Sequence, residues 1–211
     1  MALQGSFDDA LLQADVLRDG WERAGRPAAG WMAPSIFAAA MVHGVRGDDS
    51  AYDKWRRFAE SISQSACGNG FGLFVELRVA LHRGNIEGAV QLASAPRTEA
   101  PGFLEAYVIG AAAEVAVVAG LADAEERIVA AIELGSQNDF VAACLARASA
   151  RLHNSAAEME SAVKAWEAIG ARFERACTLM LIPSRVDEGR RELSTLGCAR
   201  PASLASTGGP R

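Results

Sequence analysis

The sequence has few of the features that mark metal sites, disulfide frameworks and β-sheets. Its 211 residues include four cysteines and three histidines, and no two cysteines form a CxxC pair. Because metal sites and disulfide frameworks have characteristic spacings, we expect no metal and no cofactor. No segment alternates apolar and polar residues as a half-buried strand would. Reduced thiols in a cytoplasmic protein are the simplest interpretation.

An excess of charge of one sign is also lacking. Lys and Arg number 21 against 26 Asp and Glu, so the formal net charge is -5, which gives no general attraction to nucleic acid or anionic lipid. Residues 1–13 are acidic and amphipathic, unlike a signal peptide. The most apolar run, residues 106–120, contains Glu114 and is too short to span a bilayer. We therefore expect a cytoplasmic chain without direct nucleic-acid binding or membrane contact.

Helical periodicity is present almost everywhere. Half of the residues are hydrophobic but only 7% are aromatic, so much of the apolar content is alanine, which suits closely packed helices. Apolar residues recur at spacings of three and four. Two clear stripes are Val141, Cys144, Leu145, Ala148 and Leu152, and Phe173, Ala176, Cys177, Met180 and Leu181. The pattern predicts an all-α fold of about ten or eleven antiparallel helices, without a sheet.

Cys177 lies close in sequence to two cations, Arg172 and Arg175. It is either a reactive thiol or a structural one. Because Cys177 is on the apolar stripe and the arginines lie off it, we predict a buried thiol that reacts slowly.

Turn signals recur at intervals of about 30 to 42 residues, the range of helix–turn–helix repeats. Residues 3–11 (LQGSFDDAL) superpose on residues 82–90 (HRGNIEGAV), with Gly5 on Gly84. In such repeats each helix pair leaves an apolar face that only the next pair covers. The predicted turns are at Gly5, Gly47, Gly84, Gly120, Asn154 and Ser184.

These segments resemble a degenerate tetratricopeptide (TPR-like) array. Such arrays lie C-terminal to the ATPase module in actinobacterial LuxR-like and maltose-regulator-like transcriptional regulators and in cyclase-linked signalling proteins. The resemblance is carried by residues 20–31 (GWERAGRPAAGW), 41–49 (MVHGVRGDD), 162–180 (AVKAWEAIGARFERACTLM) and 187–197 (DEGRRELSTLG). It implies antiparallel helix pairs stacked in a right-handed superhelix whose concave face binds a protein segment or another domain.

The predicted organisation is one helical-repeat domain over residues 1–199, followed by a disordered tail over 200–211. Residues 63–70 (SQSACGNG) are predicted to form a loop and a possible break within the domain. Residues 96–101 (PRTEAP), bracketed by two prolines, are predicted to form a shorter loop.

No pattern in the sequence supports an enzyme. DDSAYD at 48–53 resembles the magnesium-binding motif of terpene synthases, but the second metal site that those enzymes need is lost, because Ala142 and Ala146 occupy the ligand positions. No phosphate-binding GxxxxGK[ST] loop occurs. The histidines are isolated near predicted helix ends, where we expect them to be solvated or capping. They are His43, His82 and His153.

The predicted partner-binding residues lie near the N-terminus. Phe7, Leu11 and Trp21 fall on one face of a predicted helix over 7–23, and no preceding helix is evident to cover that face. Trp21 and Trp31 flank the loop at 22–30, and tryptophan is enriched at interface hot spots. We therefore predict partner binding at Phe7, Leu11, Trp21 and Trp31, with self-association or docking of an upstream domain through residues 3–21.

The function expected from these observations and from the resemblance is a non-enzymatic helical-repeat module. It would mediate protein–protein or interdomain contacts in a signalling or transcription-regulatory system. The alternative is an effector-sensing domain that binds a small molecule inside the superhelix.

Overall fold

The structure is a computed structural model that describes residues 2–62, 66–94 and 104–199. Over these residues the chain forms eleven α-helices and no strand, which confirms the predicted all-α fold for the described part. The helices are α1 (Phe7–Arg23), α2 (Ala33–Arg46), α3 (Asp49–Ile62), α4 (Ala66–Arg83), α5 (Ile86–Ser94), α6 (Glu105–Val118), α7 (Ala124–Gly135), α8 (Asp139–Leu152), α9 (Ala156–Ala168), α10 (Arg172–Leu179) and α11 (Val186–Thr195), with short 3-10 helices at Ala2–Gln4, Gly30–Met32 and Pro183–Arg185.

Four helix pairs are joined by turns that are built alike. The α2–α3, α4–α5, α6–α7 and α8–α9 turns each contain one residue with positive φ: Gly47 (81°), Gly84 (70°), Gly120 (66°) and Asn154 (50°). Glycine has no Cβ to clash in this conformation, and asparagine tolerates it better than most residues. The chain therefore reverses within a few residues at four of the positions that the sequence predicted.

The even-numbered helices form a row, because α2 packs on α4, α4 on α6 and α6 on α8. Helices α3, α5 and α7 each pack against the even helix before them and the one after them. The even-numbered helices form one layer and α3, α5 and α7 form a second. The hydrophobic core lies between the two layers and between neighbouring helices of each layer. Helix α6 is central, and its residues 110–116 are all buried.

Helix α10 does not follow this order, because its side chains contact elements distant in sequence. Glu174 on α10 accepts hydrogen bonds from Arg78 on α4 and from Arg147 on α8. The ring of Phe173 lies 5.9 Å from that of Phe7 on α1. A stack in which each unit contacts only its neighbours has no such contacts. The neighbour-only packing expected from the repeat pattern is therefore wrong for α10.

The last described residues lie against α2 and α4. The Ala199 amide donates to the Val45 carbonyl at 2.9 Å, and the Ala199 carbonyl lies 3.1 Å from His82 Nε2. Arg46 Nε donates to the Leu196 carbonyl at 3.1 Å. The N-terminal and C-terminal parts of the described chain are therefore in direct contact.

The inward face of α1 is covered, which corrects the expectation that its packing partner is missing. Helix α1 packs on α2. Phe7 is 2% exposed, and Leu11 and Trp21 are partly buried against the main core. Phe7 is therefore not available to a partner, and Leu11 is only partly so, because α2 and the Phe173 ring of α10 contact this face of α1.

The predicted loop at residues 63–70 is also corrected, because α4 begins at Ala66 and continues through this glycine-rich stretch. Gly72 lies in the helix where α4 crosses α2. A Cβ at Gly72 would lie 2.6 Å from Cζ of Phe37. The glycine therefore permits a close helix crossing.

Residues 63–65, the loop predicted at 96–101 and the tail predicted at 200–211 lie outside the described residues. Within the described ranges, no helix is both long enough and apolar enough to cross a membrane.

Candidate functional site

Four charged side chains from four helices meet in the interior; we call them the buried cluster. Arg78 on α4 donates from Nε to Glu174 Oε1 on α10 at 3.0 Å, and it also donates to Glu114 on α6. Arg147 on α8 donates from Nη2 to Glu114 Oε2 at 2.9 Å and to Glu174 Oε2 at 2.8 Å. None of the four residues is more than 4% exposed. Two positive and two negative charges balance, as burial requires.

Neighbouring groups add hydrogen bonds to the buried cluster, in which Arg147 Nε lies 2.7 Å from Glu114 Oε1 but makes no hydrogen bond of suitable geometry. Arg147 Nη1 donates to the Glu174 carbonyl and to Thr178 Oγ1, both at 3.2 Å. Desolvation raises the pKa of Glu114, but the Arg147 and Arg78 guanidiniums outweigh it and lower that pKa to about 2. Glu114 therefore stays ionised and paired. With its charges mutually satisfied, the buried cluster has the character of a structural network.

A small cavity of about 30 Å³ adjoins the buried cluster. Glu114, Arg151, His82 and Cys177 contribute to its lining. His82 is only 5% exposed, so the expectation that it is solvated or capping is wrong. Burial lowers the pKa of His82, and its Nδ1 has no hydrogen-bond partner among the described residues. This volume suits about one water molecule, whereas metabolite sites occupy several hundred cubic ångströms.

The sequence contained two weak signals of the buried cluster, neither of which was interpreted. Glu114 interrupts the most apolar run of the chain, and Arg147 lies one turn from Cys144 on the stripe of α8. A charged residue on a buried face needs a partner of opposite charge. Nothing local could have identified Glu174, which is 96 positions from Arg78.

The second place where chemically distinctive side chains meet is a groove between α1 and α3, which we call the aromatic groove. Its volume is about 320 Å³. Three rings line it: Trp21 from α1, and Trp55 and Phe58 from α3. The Trp21 and Phe58 ring centroids are 5.2 Å apart, and those of Trp55 and Phe58 are 6.1 Å apart. Trp21 Nε1 donates to the Pro27 carbonyl at 2.8 Å, which holds the indole in place.

Three cations and one carboxylate also line the aromatic groove: Arg18, Arg26, Lys54 and Glu22. Arg18 is neutralised by Asp15, whose Oδ1 lies 2.9 Å from Arg18 Nη2. The Nη2 of Arg26 lies 3.8 Å from Glu22 Oε1, a long contact. Lys54 forms no ion pair within the described part of the chain. The groove therefore combines an apolar floor with one cation, Lys54, that forms no ion pair among the described residues.

Trp31 is the most exposed large hydrophobic residue among those described, at 75%. It lies in the 3-10 helix Gly30–Met32, which packs on α2 and α3. Trp55, by contrast, is 6% exposed. Of the four residues predicted to bind a partner, Trp21 lines the groove and Trp31 faces solvent, whereas Phe7 and Leu11 pack inward.

Cys177 is partly buried, so the prediction of a buried thiol is only partly right. Its side chain packs against the main core. Desolvation, reinforced by the charge of Glu174, raises the pKa of the Cys177 thiol. A raised pKa lowers the fraction of reactive thiolate, which is unfavourable for nucleophilic catalysis. Within the described ranges, no three His, Cys, Asp or Glu residues are grouped so that they could hold a metal ion.

Comparison with models of protein families, with curated proteins and with solved structures finds no match to this chain. Function therefore has to be inferred from the residues that form the aromatic groove and from their geometry.

Proposed function

We propose that the chain is a non-enzymatic docking module whose aromatic groove binds an acidic segment of a protein partner. The observation that carries the proposal is the groove itself: three aromatic rings lie beside Lys54, which has no carboxylate partner among the described residues. An apolar side chain of the partner would pack on the rings, and neighbouring Asp or Glu side chains would pair with Lys54 and Arg26.

The exposure of Trp31 supports an interface that includes the 3-10 helix Gly30–Met32. Trp31 lies in a 3-10 helix that packs on α3, the helix that supplies Trp55 and Phe58 to the groove. Large exposed aromatic side chains are frequent at interface hot spots because they bury much area at low entropy cost. The helix pairs with their similar turns, together with the TPR-like resemblance, favour a role in signalling or transcription regulation.

The alternative function, a sensor with a small molecule inside the superhelix, has less support. Helix α10 lies against α4 and α8, and the cavity beside the buried cluster holds about 30 Å³. A screen of metabolites by thermal shift tests this alternative, because a ligand that binds only the folded state raises the melting temperature.

The docking proposal is tested by selecting short random peptides displayed on phage against the immobilised wild-type protein. We expect enrichment of peptides that place Asp or Glu beside Trp, Phe or Leu. Selected peptides should bind Lys54→Glu and Trp31→Ser variants roughly tenfold more weakly in a fluorescence-anisotropy titration.

Lys164→Glu is the matched control. Lys164 is exposed on α9 and, like Lys54, forms no ion pair with described residues. The two variants therefore have the same net charge. Equal loss of binding in both would show that the peptides respond to net charge, and enrichment without acidic residues would contradict the proposed partner chemistry.

A further inference from the structure

Helix α7 has one buried face and one bare face. Ala124, Ile128 and Ala131 point inward and are at most 8% exposed. On the opposite side Val129 is 61% exposed and Ile132 is 57% exposed. These two branched side chains are three positions apart and therefore adjacent on the helix surface. Together they form an apolar strip that no described element covers.

Three carboxylates surround this strip. Glu125, Glu126 and Glu133 lie four before, three before and four after Val129, which makes all three its direct neighbours on the helix. All three are exposed. None forms an ion pair with any described residue, although Asp123, just before the helix, pairs with Arg127. We call Glu125, Glu126, Val129, Ile132 and Glu133 the α7 face.

Helix α1 presents a similar pair, which shows what distinguishes the α7 face. Leu12 and Val16 are 60% and 54% exposed, values close to those on α7. Of their acidic neighbours, however, all but Asp9 are neutralised within the chain. Asp8 pairs with Arg46 at 2.7 Å, and Asp15 and Asp19 pair with Arg18 at 2.9 and 3.2 Å. Only the α7 face combines exposed apolar groups with three carboxylates that lack such partners in the described residues.

We propose that the α7 face docks a basic amphipathic segment of a protein partner. Such a segment would place apolar side chains on Val129 and Ile132, and Lys or Arg on both sides against the three glutamates. A second copy of this chain fits poorly, because two α7 faces would oppose three carboxylates to three. Anionic membranes and nucleic acids are repelled for the same reason. The proposal is independent of the aromatic groove, whose residue without an ion pair among the described residues, Lys54, is a cation.

The probe is a synthetic fluorescent peptide in which Leu recurs every three or four residues and Lys fills the positions between, so that a helix has one apolar and one basic face. It is compared with a Leu–Glu peptide, in which Glu replaces every Lys. Binding to the full chain is measured by anisotropy at low and at high salt. We expect the Leu–Lys peptide to bind, to bind more weakly at high salt, and to bind the Glu126→Lys/Glu133→Lys variant roughly tenfold more weakly. The Leu–Glu peptide has the chemistry proposed for the aromatic groove, so any binding of it should not be weakened by the Glu126→Lys/Glu133→Lys variant.

Two matched controls separate the α7 face from general attraction to an acidic protein. Glu87→Lys/Glu167→Lys changes two exposed glutamates without ion pairs in the described residues and has the same net charge as the α7 variant. A second α7 variant, Val129→Ser/Ile132→Ser, removes the apolar strip. Its control is Leu12→Ser/Val16→Ser, which replaces two side chains of similar exposure on α1.

We expect both control variants to bind within about twofold of wild type, and both α7 variants to bind substantially more weakly. Equal weakening of Leu–Lys binding in α7 and control variants, similar weakening of Leu–Glu binding in the α7 charge variant, or no binding of the Leu–Lys peptide would each overturn the proposal. Melting temperatures are measured for all variants, and an α7 variant that binds weakly counts only if its melting temperature matches that of wild type.

Discussion

The buried cluster and the aromatic groove place an arginine over a tryptophan at the same distance. Arg147 Cζ lies 5.0 Å from the Trp166 ring centroid, and Arg18 Cζ lies 5.0 Å from the Trp55 ring centroid. Their surroundings differ. The Arg147 side chain is 2% exposed and pairs with two buried glutamates, whereas the Arg18 side chain is 27% exposed and pairs with surface aspartates. The same residue pair therefore has a structural role in one region and borders an open groove in the other.

The difference lies in solvation and in the completeness of pairing. In the buried cluster, removal of one charge leaves others desolvated and unpaired, so a substitution costs stability. In the aromatic groove, water compensates a lost charge, so stability changes little and binding is the sensitive property. The predictions below test this contrast.

The largest effect is expected for Arg147→Met, which leaves Glu114 and Glu174 without one of their two guanidiniums. We expect it to lower the free energy of unfolding by about 3–5 kcal/mol in urea denaturation followed by circular dichroism. The control is Arg185→Met, which removes partly exposed ion pairs to Glu160 and Glu188 at the surface and should cost at most about 1 kcal/mol. Equal costs would mean that the buried cluster is no more important than surface pairs.

Acid should destabilise the protein through Glu114. Its pKa is lowered from an ordinary value of 4.5 to about 2 in the folded state. The stabilisation is therefore present above pH 4.5 and is lost as the pH falls toward 2, by up to about 3 kcal/mol. Unfolding of wild type and of Glu114→Gln is compared across this range. The difference between them should shrink as the pH falls, and a constant difference would contradict the assignment.

An intermediate effect is expected where helices cross closely. Gly72→Ala should destabilise by about 1–3 kcal/mol, because the added Cβ meets the buried Phe37 ring at 2.6 Å. Gly20→Ala on α1 is the matched change, since nothing lies within 4 Å of its added Cβ. It should stabilise by about 0.5–1 kcal/mol through helix propensity. Thermal unfolding measures both, and the same sign for both would show that the α2–α4 crossing can open without cost.

The smallest effect on stability is expected at the aromatic groove. Trp31→Ser and Lys54→Glu should each change the free energy of unfolding by no more than about 0.5 kcal/mol, because both side chains are exposed. Urea denaturation tests this. A larger loss would assign Trp31 or Lys54 a structural role and would weaken their use as probes of partner binding.

Much of the fold was predictable because it depends on local interactions. Helical periodicity identified the stripes of α8 and α10, and the turn residues Gly47, Gly84 and Asn154 stand at three of the observed reversals. The glycines of residues 63–70 predict a turn by propensity, but residues 66–70 are helical because α4 as a whole packs on α2 and α6, and tertiary packing overrides local propensity. Two residues further on, the Phe37 ring beside Gly72 shows that glycine also permits a close helix crossing.

The candidate site was only partly predictable. Partner binding at Trp21 and Trp31 stays a prediction, with Trp21 lining the groove and Trp31 exposed, whereas Phe7, predicted to share that role, is buried. Helical spacing places residues on a common face, yet it does not reveal which element covers that face. Phe7 is covered by Phe173, which follows 166 residues later.

The sequence by itself determined that the described chain is helical and where most of its helices end, because periodicity, capping and positive-φ turns act within a few residues. Only the tertiary structure decided which charges are buried and which surfaces remain open. Arg78 and Glu174 meet because α10 packs against α4, and Trp31 stays exposed because no described helix lies over it. Burial is a property of contacts between distant segments, so identical residue types acquire a structural role in one place and remain available for binding in another.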